Sequence, residues 1–426
     1  MPATVISSQP DRIVLQIEVP VDSNNMLSLE DSLQRELNEA GLLGTKELLE
    51  RFEPTNKAPF IFNQQRWSHK GKVIKHYETL YGSVPVERSV YQGTRGGTTL
   101  APLDIQAGII GSATPKFAKT LAWKYSQMPA PAVKEDFATN HQRTVSNSFI
   151  KHLSDRVGAL IEEKTDTEYD LPSFKKPVAT IAIGLDGTCL LLCEEGWREA
   201  MCGTLSLYDA DGDRLHTIYT ASAPEYGKQR FMDNLTAEIT ALKRLYPDVT
   251  YIGVADGAKE NWSYLKQHTS AQILDFYHAS EYLAGAAEAL YPSSKAKRHS
   301  WLEKTLHNLK HGYGAAKKIL QERQSAVLPK RTVALTEKRY KAVTYFSNNH
   351  QLMRYHQAQK RNWPIGSGVT EAACKTLVKQ RLCSSGMRWK SASAEVLLTA
   401  RSLIQSKGRW EQTWAEIMAD KADIVL

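Results

Sequence analysis

Five cysteines in 426 residues, at positions 189, 193, 202, 374 and 383, are too few and too irregularly spaced to frame a fold. Their count is odd and no Cys-x-x-Cys pair occurs, which excludes a disulfide scaffold and gives no sign of a zinc site. The expected state is buried free thiols in a reducing cytoplasm. Long apolar runs are missing too, since no stretch reaches the roughly eighteen residues of a membrane span. The opening "MPATVISSQPDRIVLQIEVP" lacks a basic start followed by an apolar core, so no signal peptide and no membrane partner are expected. Internal repeats and low-complexity tracts are also lacking, which excludes repeat architectures.

What is present is the balance of a soluble globular chain, with 42% hydrophobic and 23% charged residues. The length suffices for two or three domains. Charge, however, is uneven. Residues 284–426 carry 25 Lys and Arg against 10 Asp and Glu, a net of +15, whereas the first 283 carry 29 against 36, a net of −7. Such a basic C-terminal third points to a polyanion, nucleic acid foremost, with a solvated basic helical surface as the plain alternative.

Local patterns divide the chain further. Residues 28–51 read as an amphipathic helix or two, broken at Gly41 and Gly44. Residues 84–104 alternate β formers around a Gly-rich turn, as in a hairpin. Segments 114–127, 130–141 and 143–158 spell three short helices. The last has Thr144 or Ser146 as its cap and bears Lys151, His152 and Arg156, which suits either a helix-turn-helix DNA reader or an ordinary bundle. A polar linker, 166–177, precedes a change of grammar. Strands are expected over 178–192, 198–209 and 214–223, the last two joined by the turn "ADGD". A helix (227–247), a strand (249–257), a short helix (260–268) and a strand (271–277) follow. Basic helices then fill about 280–355, and a late helix covers 366–383. This is the element order of an α/β, ribonuclease-H-like core: a mixed sheet flanked by helices.

In that order two carboxylates fall at strand ends, Asp186 in "IGLDGT" and Asp256 in "VADGAKENW". Ligands gather at the carboxyl ends of strands in open α/β sheets. Parallel neighbours would let both acids face one pocket, and the glycine after each would leave room for something to approach. Either Asp alone reads as a turn or capping residue. A third carboxylate, Glu371, follows a Gly-Ser-Gly turn in "WPIGSGVTEAACKTLVKQRL", with Lys375 and Lys379 at later turns. Alone it reads as a first-turn acid favoured by the helix dipole. Three carboxylates with oxygen donors and open positions suit two Mg²⁺ or Mn²⁺ ions and phosphoryl transfer. Two rival readings fit less well. A haloacid-dehalogenase-type phosphatase needs a nucleophilic Asp where Gly184 stands. An actin-like sugar kinase has no use for the basic helical third.

The stretches "GLDGT", "VADGAKENW", "ILDFYHASEYL" and "WPIGSGVTEAACKTLVKQRLCSSGMRWK" together resemble DDE transposases, in particular bacterial insertion-sequence transposases of the ISKra group. The likeness covers roughly 178–400, and the N-terminal third more loosely. It implies five regions: an N-terminal region with helices and a hairpin (1–110), a DNA-binding helical region and linker (111–172), the first part of the catalytic core (173–283), an α-helical insertion (284–360), and a catalytic helix with tail (361–426). It implies Asp186, Asp256 and Glu371 as the metal triad. Asp275 and His278 match an Asp-x-x-His motif, in which the histidine assists at the scissile phosphate. Lys375, Lys379, Arg381, Arg388, Lys390, Lys151 and Arg156 would hold DNA. Trp389 would stack on a base or pack in the core. The implied partners are transposon ends and target DNA, bound in a bacterial cytoplasm, near the nucleoid, by a homodimer or larger assembly. The chain departs from the family in one respect: no cysteine stands before "PLD" (102–104), where relatives carry a zinc-ribbon-like segment. A structure-specific nuclease or resolvase on the same fold, and a DNA-binding regulator with an inactive site, are the alternatives.

Overall fold

Period-two alternation builds more of the N-terminal third than its helical segments suggest. In a computed structural model, which describes residues 3–94, 96–164, 170–325 and 332–419, strands β1 (Ala3–Gln9) and β2 (Arg12–Ile17) form an antiparallel pair. Helix α1 (Met26–Glu50) starts at Asn25, whose side chain accepts a hydrogen bond from the Leu27 N–H. It does not break at its glycines as expected. Gly41 is needed for closeness, because a Cβ there would stand 2.5 Å from the Tyr81 ring. Packing of this kind offsets the roughly 1 kcal/mol that a mid-helix glycine costs.

Strands β3 (Phe60–Phe62), β4 (Gln65–Glu78), β5 (Ser83–Gly93) and β6 (Thr99–Leu100) follow, forming an antiparallel sheet in that order. The hairpin expected over 84–104 is therefore only part of a larger one. β5 pairs with β4 from Ser83 to Gly93 but with β6 at only Tyr91 and Gln92. Beyond it, helix α2 (Pro102–Gln106) presents Asp104 to the Tyr77 hydroxyl (2.5 Å), the Lys75 ammonium (2.9 Å) and the Arg88 guanidinium. Three donors on one half-buried carboxylate pin α2 to the sheet. The three expected helices are present as α3 (Pro115–Gln127), α4 (Ala130–His141) and α5 (Asn147–Glu163). Ser146 is the cap of α5, accepting from the Phe149 N–H at 3.2 Å.

The chain divides into two compact units, Met1–Thr167 with Trp410–Leu426, and Glu168–Arg409. Residues 166–169 of the expected linker lie outside the described residues.

In the second unit, β7 (Thr180–Leu192), β8 (Gly196–Tyr208) and β9 (Arg214–Ser222) form an antiparallel meander. Helix α6 (Gln229–Leu245) buries Phe231, Leu235, Ile239 and Leu242 at helical spacing. Strand β10 (Thr250–Ala255) then lies parallel to β7, helix α7 (Lys259–His268) returns, and β11 (Ala271–Leu274) lies parallel to β10. The sheet order is β11-β10-β7-β8-β9, a mixed sheet within an α/β unit. β11 ends three residues earlier than expected, because Asp275 turns away to cap helix α8 (Phe276–Leu290).

The basic helical stretch comprises α9 (Lys295–His311), α10 (Ala315–Ser325), α11 (Val333–Asn349) and the short α12 (Tyr355–Lys360). The late helix is α13 (Gly368–Ala373), a π-helical turn (Cys374–Lys379) and α14 (Gln380–Leu382). Its buried residues Ala373, Leu377, Val378 and Leu382 pack with Leu190, Leu192 and Ala200 of the sheet and with Leu398 of α15 (Ser391–Gln405). The final helix, α16 (Arg409–Ala419), groups from Trp410 onward with the first unit, where Glu411 pairs with Lys119 at 2.5 Å. The expected 361–426 region is thus divided at that point.

All five cysteines are free. Only Cys202 and Cys374 are buried, so the expected burial holds for two of the five. Among the described residues no helix is long and apolar enough to cross a membrane.

Candidate active site

Strand register sets the first pair of carboxylates. Asp186 is not at a strand end, as expected, but in the middle of β7, opposite Cys202 of β8. What ends before it is the parallel pairing with β10, at Ile183 and Gly253. The offset of 70 residues that pairs Thr250 with Thr180 also relates Asp256 to Asp186. Both acids therefore come three residues past the last paired residues, Asp186 still within β7 and Asp256 just after the end of β10.

Residues two apart share one face of a strand. Asp186 thus shares its face with Gly184 and Leu190, the face that the late helix covers. Gly184 is required there: a Cβ would lie 2.1 Å from Thr370 Oγ1 and 3.2 Å from the Val254 carbonyl. Thr370 in turn meets Thr204 Oγ1 at 2.7 Å. These contacts bring α13 down onto β7 and β8 and set Glu371 where its charge reaches Asp186. Gly184, Thr204, Ser206, Val254, Ser367 and Thr370, among others, line a small cleft there.

The glycines that follow the aspartates make room for side chains of the chain itself. A Cβ on Gly187 would lie 2.2 Å from Glu199 Oε1, and one on Gly257 would lie 3.1 Å from the Tyr345 ring. Tyr345 stacks on Tyr282, with centroids 3.9 Å apart. Burial pushes its phenol far up, and the charges of Asp256 and Asp275 push the same way.

Electrostatics ties the three carboxylates together. Burial raises the Asp186 carboxyl above its ordinary range, and the negative charges of Asp256 and Glu371 raise it further. Opposing this are the Gly187 N–H, 2.8 Å from Asp186 Oδ1, and the Cys374 thiol, 3.6 Å from Oδ2. The neighbouring Cys202, together with burial and Asp186, holds the Cys374 thiol far up, so it remains a donor.

As they stand, the carboxylates are tethered locally. Asp256 Oδ1 accepts from the Ala258 N–H at 3.1 Å, and Glu371 Oε1 contacts Ser367 Oγ at 2.8 Å and His278 Nε2 at 3.7 Å. Among the described residues no group of three or more His, Cys, Asp or Glu side chains is arranged to hold a metal ion. The charges of Asp256 and Glu371 both reach Asp186, and each acid also has a partner of its own nearby. The donor chemistry nevertheless fits a hard divalent cation: oxygen ligands only, with a mutual repulsion that a cation relieves.

Asp275 sits apart from this set. It is 0% exposed. Its Oδ1 accepts from the His278 N–H at 2.7 Å, and its Oδ2 accepts from the backbone N–H and, at 2.8 Å, the hydroxyl of Ser367. It caps α8 and is saturated with donors. His278, the other half of the motif, is part-exposed beside Glu371 and also lies 3.8 Å from Glu281.

The candidate DNA contacts divide. Lys375, Lys379, Arg388 and Lys390 are exposed in the second unit, and Lys151 and Arg156 are exposed on α5 in the first. Glu371, Lys375 and Lys379 form one exposed line. Arg381 does not belong with them. It is 2% exposed, and its guanidinium lies 5.2 Å from the centre of the Trp389 ring. Trp389 itself is pinned, its indole N–H donating to the Leu382 carbonyl at 2.8 Å and its backbone pairing with Leu191 and Cys193. Packing, not base stacking, is its role here.

Sequence reasoning missed Ser367 and Cys374. A serine just before a helix reads as an N-cap, but the Ser367 side chain makes no cap bond and serves two carboxylates instead. No local pattern marks Cys374, because its partner Asp186 is 188 residues away.

No protein-family model matches the chain, and no curated protein matches it.

Proposed function

We propose that the chain is a metal-dependent phosphoryl-transfer enzyme acting on DNA, and specifically a DDE-type transposase that cuts at element ends and joins the 3′ end to target DNA. The observation that carries this is the placement of Asp186 on β7 and of Asp256 directly after the adjacent parallel strand β10, each three residues past the last paired residues, with the charges of Asp256 and Glu371 bearing on Asp186. The strand order, with the second strand antiparallel to its neighbours, supports a ribonuclease-H-like reading of the sheet.

Asp186, Asp256 and Glu371 would hold Mg²⁺ or Mn²⁺, which supplies charge neutralisation at the phosphate and activation of the attacking oxygen when bound. His278, beside Glu371, is placed to donate a hydrogen bond or a proton to a phosphate or leaving oxygen. The exposed Lys375 and Lys379 follow Glu371 along the helix and suit the adjoining phosphates. Lys151 and Arg156 on α5 would contact DNA away from the reacting bond, and pairing of two ends calls for a dimer or larger assembly on double-stranded DNA.

A plasmid excision assay tests the reading. Excision by the wild-type chain that disappears in Asp186→Asn and Glu371→Gln, with DNA binding retained, is the expected result. Excision that survives either change contradicts the triad. Cleavage without joined products in a strand-transfer assay points instead to a nuclease or resolvase on the same fold. One observation favours a third reading, since among the described residues no three His, Cys, Asp or Glu side chains are arranged to hold a metal ion. An inactive, DNA-binding regulator would bind DNA and take up no Mn²⁺.

A further inference from the structure

We infer that Ser367 is a positioning residue that aims the Glu371 carboxylate at the metal site, with Asp275 as its anchor; this rests on the metal reading of Asp186, Asp256 and Glu371. Ser367 is 7% exposed and stands at the start of α13, four residues before Glu371. Its hydroxyl lies 2.8 Å from Asp275 Oδ2 and 2.8 Å from Glu371 Oε1.

A hydroxyl has one hydrogen and so donates to one carboxylate at a time. Asp275 Oδ2 also receives the backbone N–H of Ser367. It therefore keeps a donor when the hydroxyl turns to Glu371. The hydroxyl is thus a swivel: the backbone bond holds the start of α13 against the buried Asp275, and the side chain is left to fix the Glu371 rotamer. The same Asp275 holds the backbone of His278, the other group beside Glu371 Oε1. One buried acid consequently sets both neighbours of the third ligand. Outer groups of this kind orient metal-ligating carboxylates, and their loss weakens metal binding by about 10- to 100-fold.

Ser367→Ala removes the swivel and keeps the backbone bond, so the fold is retained. Mn²⁺ titration calorimetry on the full chain, with a thermal melt of each variant without metal, tests the inference. Ser367→Ala is expected to melt close to the wild type and to bind Mn²⁺ about tenfold or more weakly, with Ser367→Thr restoring most of the affinity. Wild-type Mn²⁺ affinity in Ser367→Ala, while Glu371→Gln loses it, overturns the positioning role and leaves the metal site standing. A wild type that takes up no Mn²⁺, or a Glu371→Gln variant with undiminished affinity, overturns the metal reading and this inference with it. Should Ser367→Thr fail to fold, Asp275→Asn supplies the second arm. It keeps acceptor oxygen for the His278 N–H, disturbs only the Ser367 side, and is expected to weaken Mn²⁺ binding; unchanged binding overturns the role.

Discussion

The region around Asp275 and the region around Asp186 each take a carboxylate out of water, and they treat it differently. Asp275 is fully buried and surrounded by three donors from two residues, His278 and Ser367. Asp186 is only half-buried, yet its nearest electrostatic neighbours beyond one N–H and one thiol are two more acids. A donor-saturated acid is a structural part. An acid set against like charges is held in a state that folding alone does not favour, and such groups gather where a cation or substrate completes the site.

The sharpest break of this comparison is the removal of the charge at Asp186. Asp186→Asn is expected to abolish DNA cleavage while raising the melting temperature at pH 7 in the absence of divalent ions. The sign follows from linkage: a carboxyl whose folded pKa is raised favours the fold most below its unfolded pKa near 3.9, and loses that contribution as pH rises through the folded value. The gain in melting temperature over the wild type should therefore grow from acid to neutral pH. An unchanged or lowered melting temperature across that range would remove the contrast.

Asp275→Ala is the opposite case. It leaves the buried N–H groups of His278 and Ser367 unpaired, at about 1–3 kcal/mol each, so denaturant unfolding should show a large loss of stability. Gly184→Ala comes next. Its methyl group meets Thr370 Oγ1 and the Val254 carbonyl, and overpacking of this kind costs about 1–3 kcal/mol. Cleavage should fall with it, because α13 carries Glu371. The smallest effects belong to the lysines. Lys375→Ala and Lys379→Ala should leave stability unchanged and each lower the salt slope of DNA binding by about 1. Arg381→Ala should do the reverse, destabilising the fold through its lost packing on Trp389.

Much of the second unit was legible in the sequence because its strands are apolar runs bounded by turn residues, and the meander, the α6 amphipathicity and the β10 strand fall within a few residues of expectation. The failures have local causes. β4 went unread because "QRWSHKGKVIKHYE" carries lysines and histidines on both faces, Lys70, Lys72 and His76 outward but His69 and Lys75 inward, which blurs the alternation. α1 was read as broken because a glycine's cost is visible in sequence whereas its packing on Tyr81 is not. β11 was drawn too long because "LDFY" continues the β-like composition past a residue that serves as a helix cap. Within the site, Asp186, Asp256, Glu371 and His278 stood out by residue type and motif. Ser367 and Cys374 act through partners 92 and 188 residues away, and Arg381 faces inward on a helix whose register is shifted by a π turn that leaves no mark in the sequence.

The most direct test of the central claim is diffraction from crystals grown with Mn²⁺, with anomalous scattering used to locate the metal. Two peaks about 4 Å apart beside Asp186, Asp256 and Glu371, with the Ser367–Glu371 bond kept, are the predicted result. Manganese found elsewhere or nowhere would contradict the account.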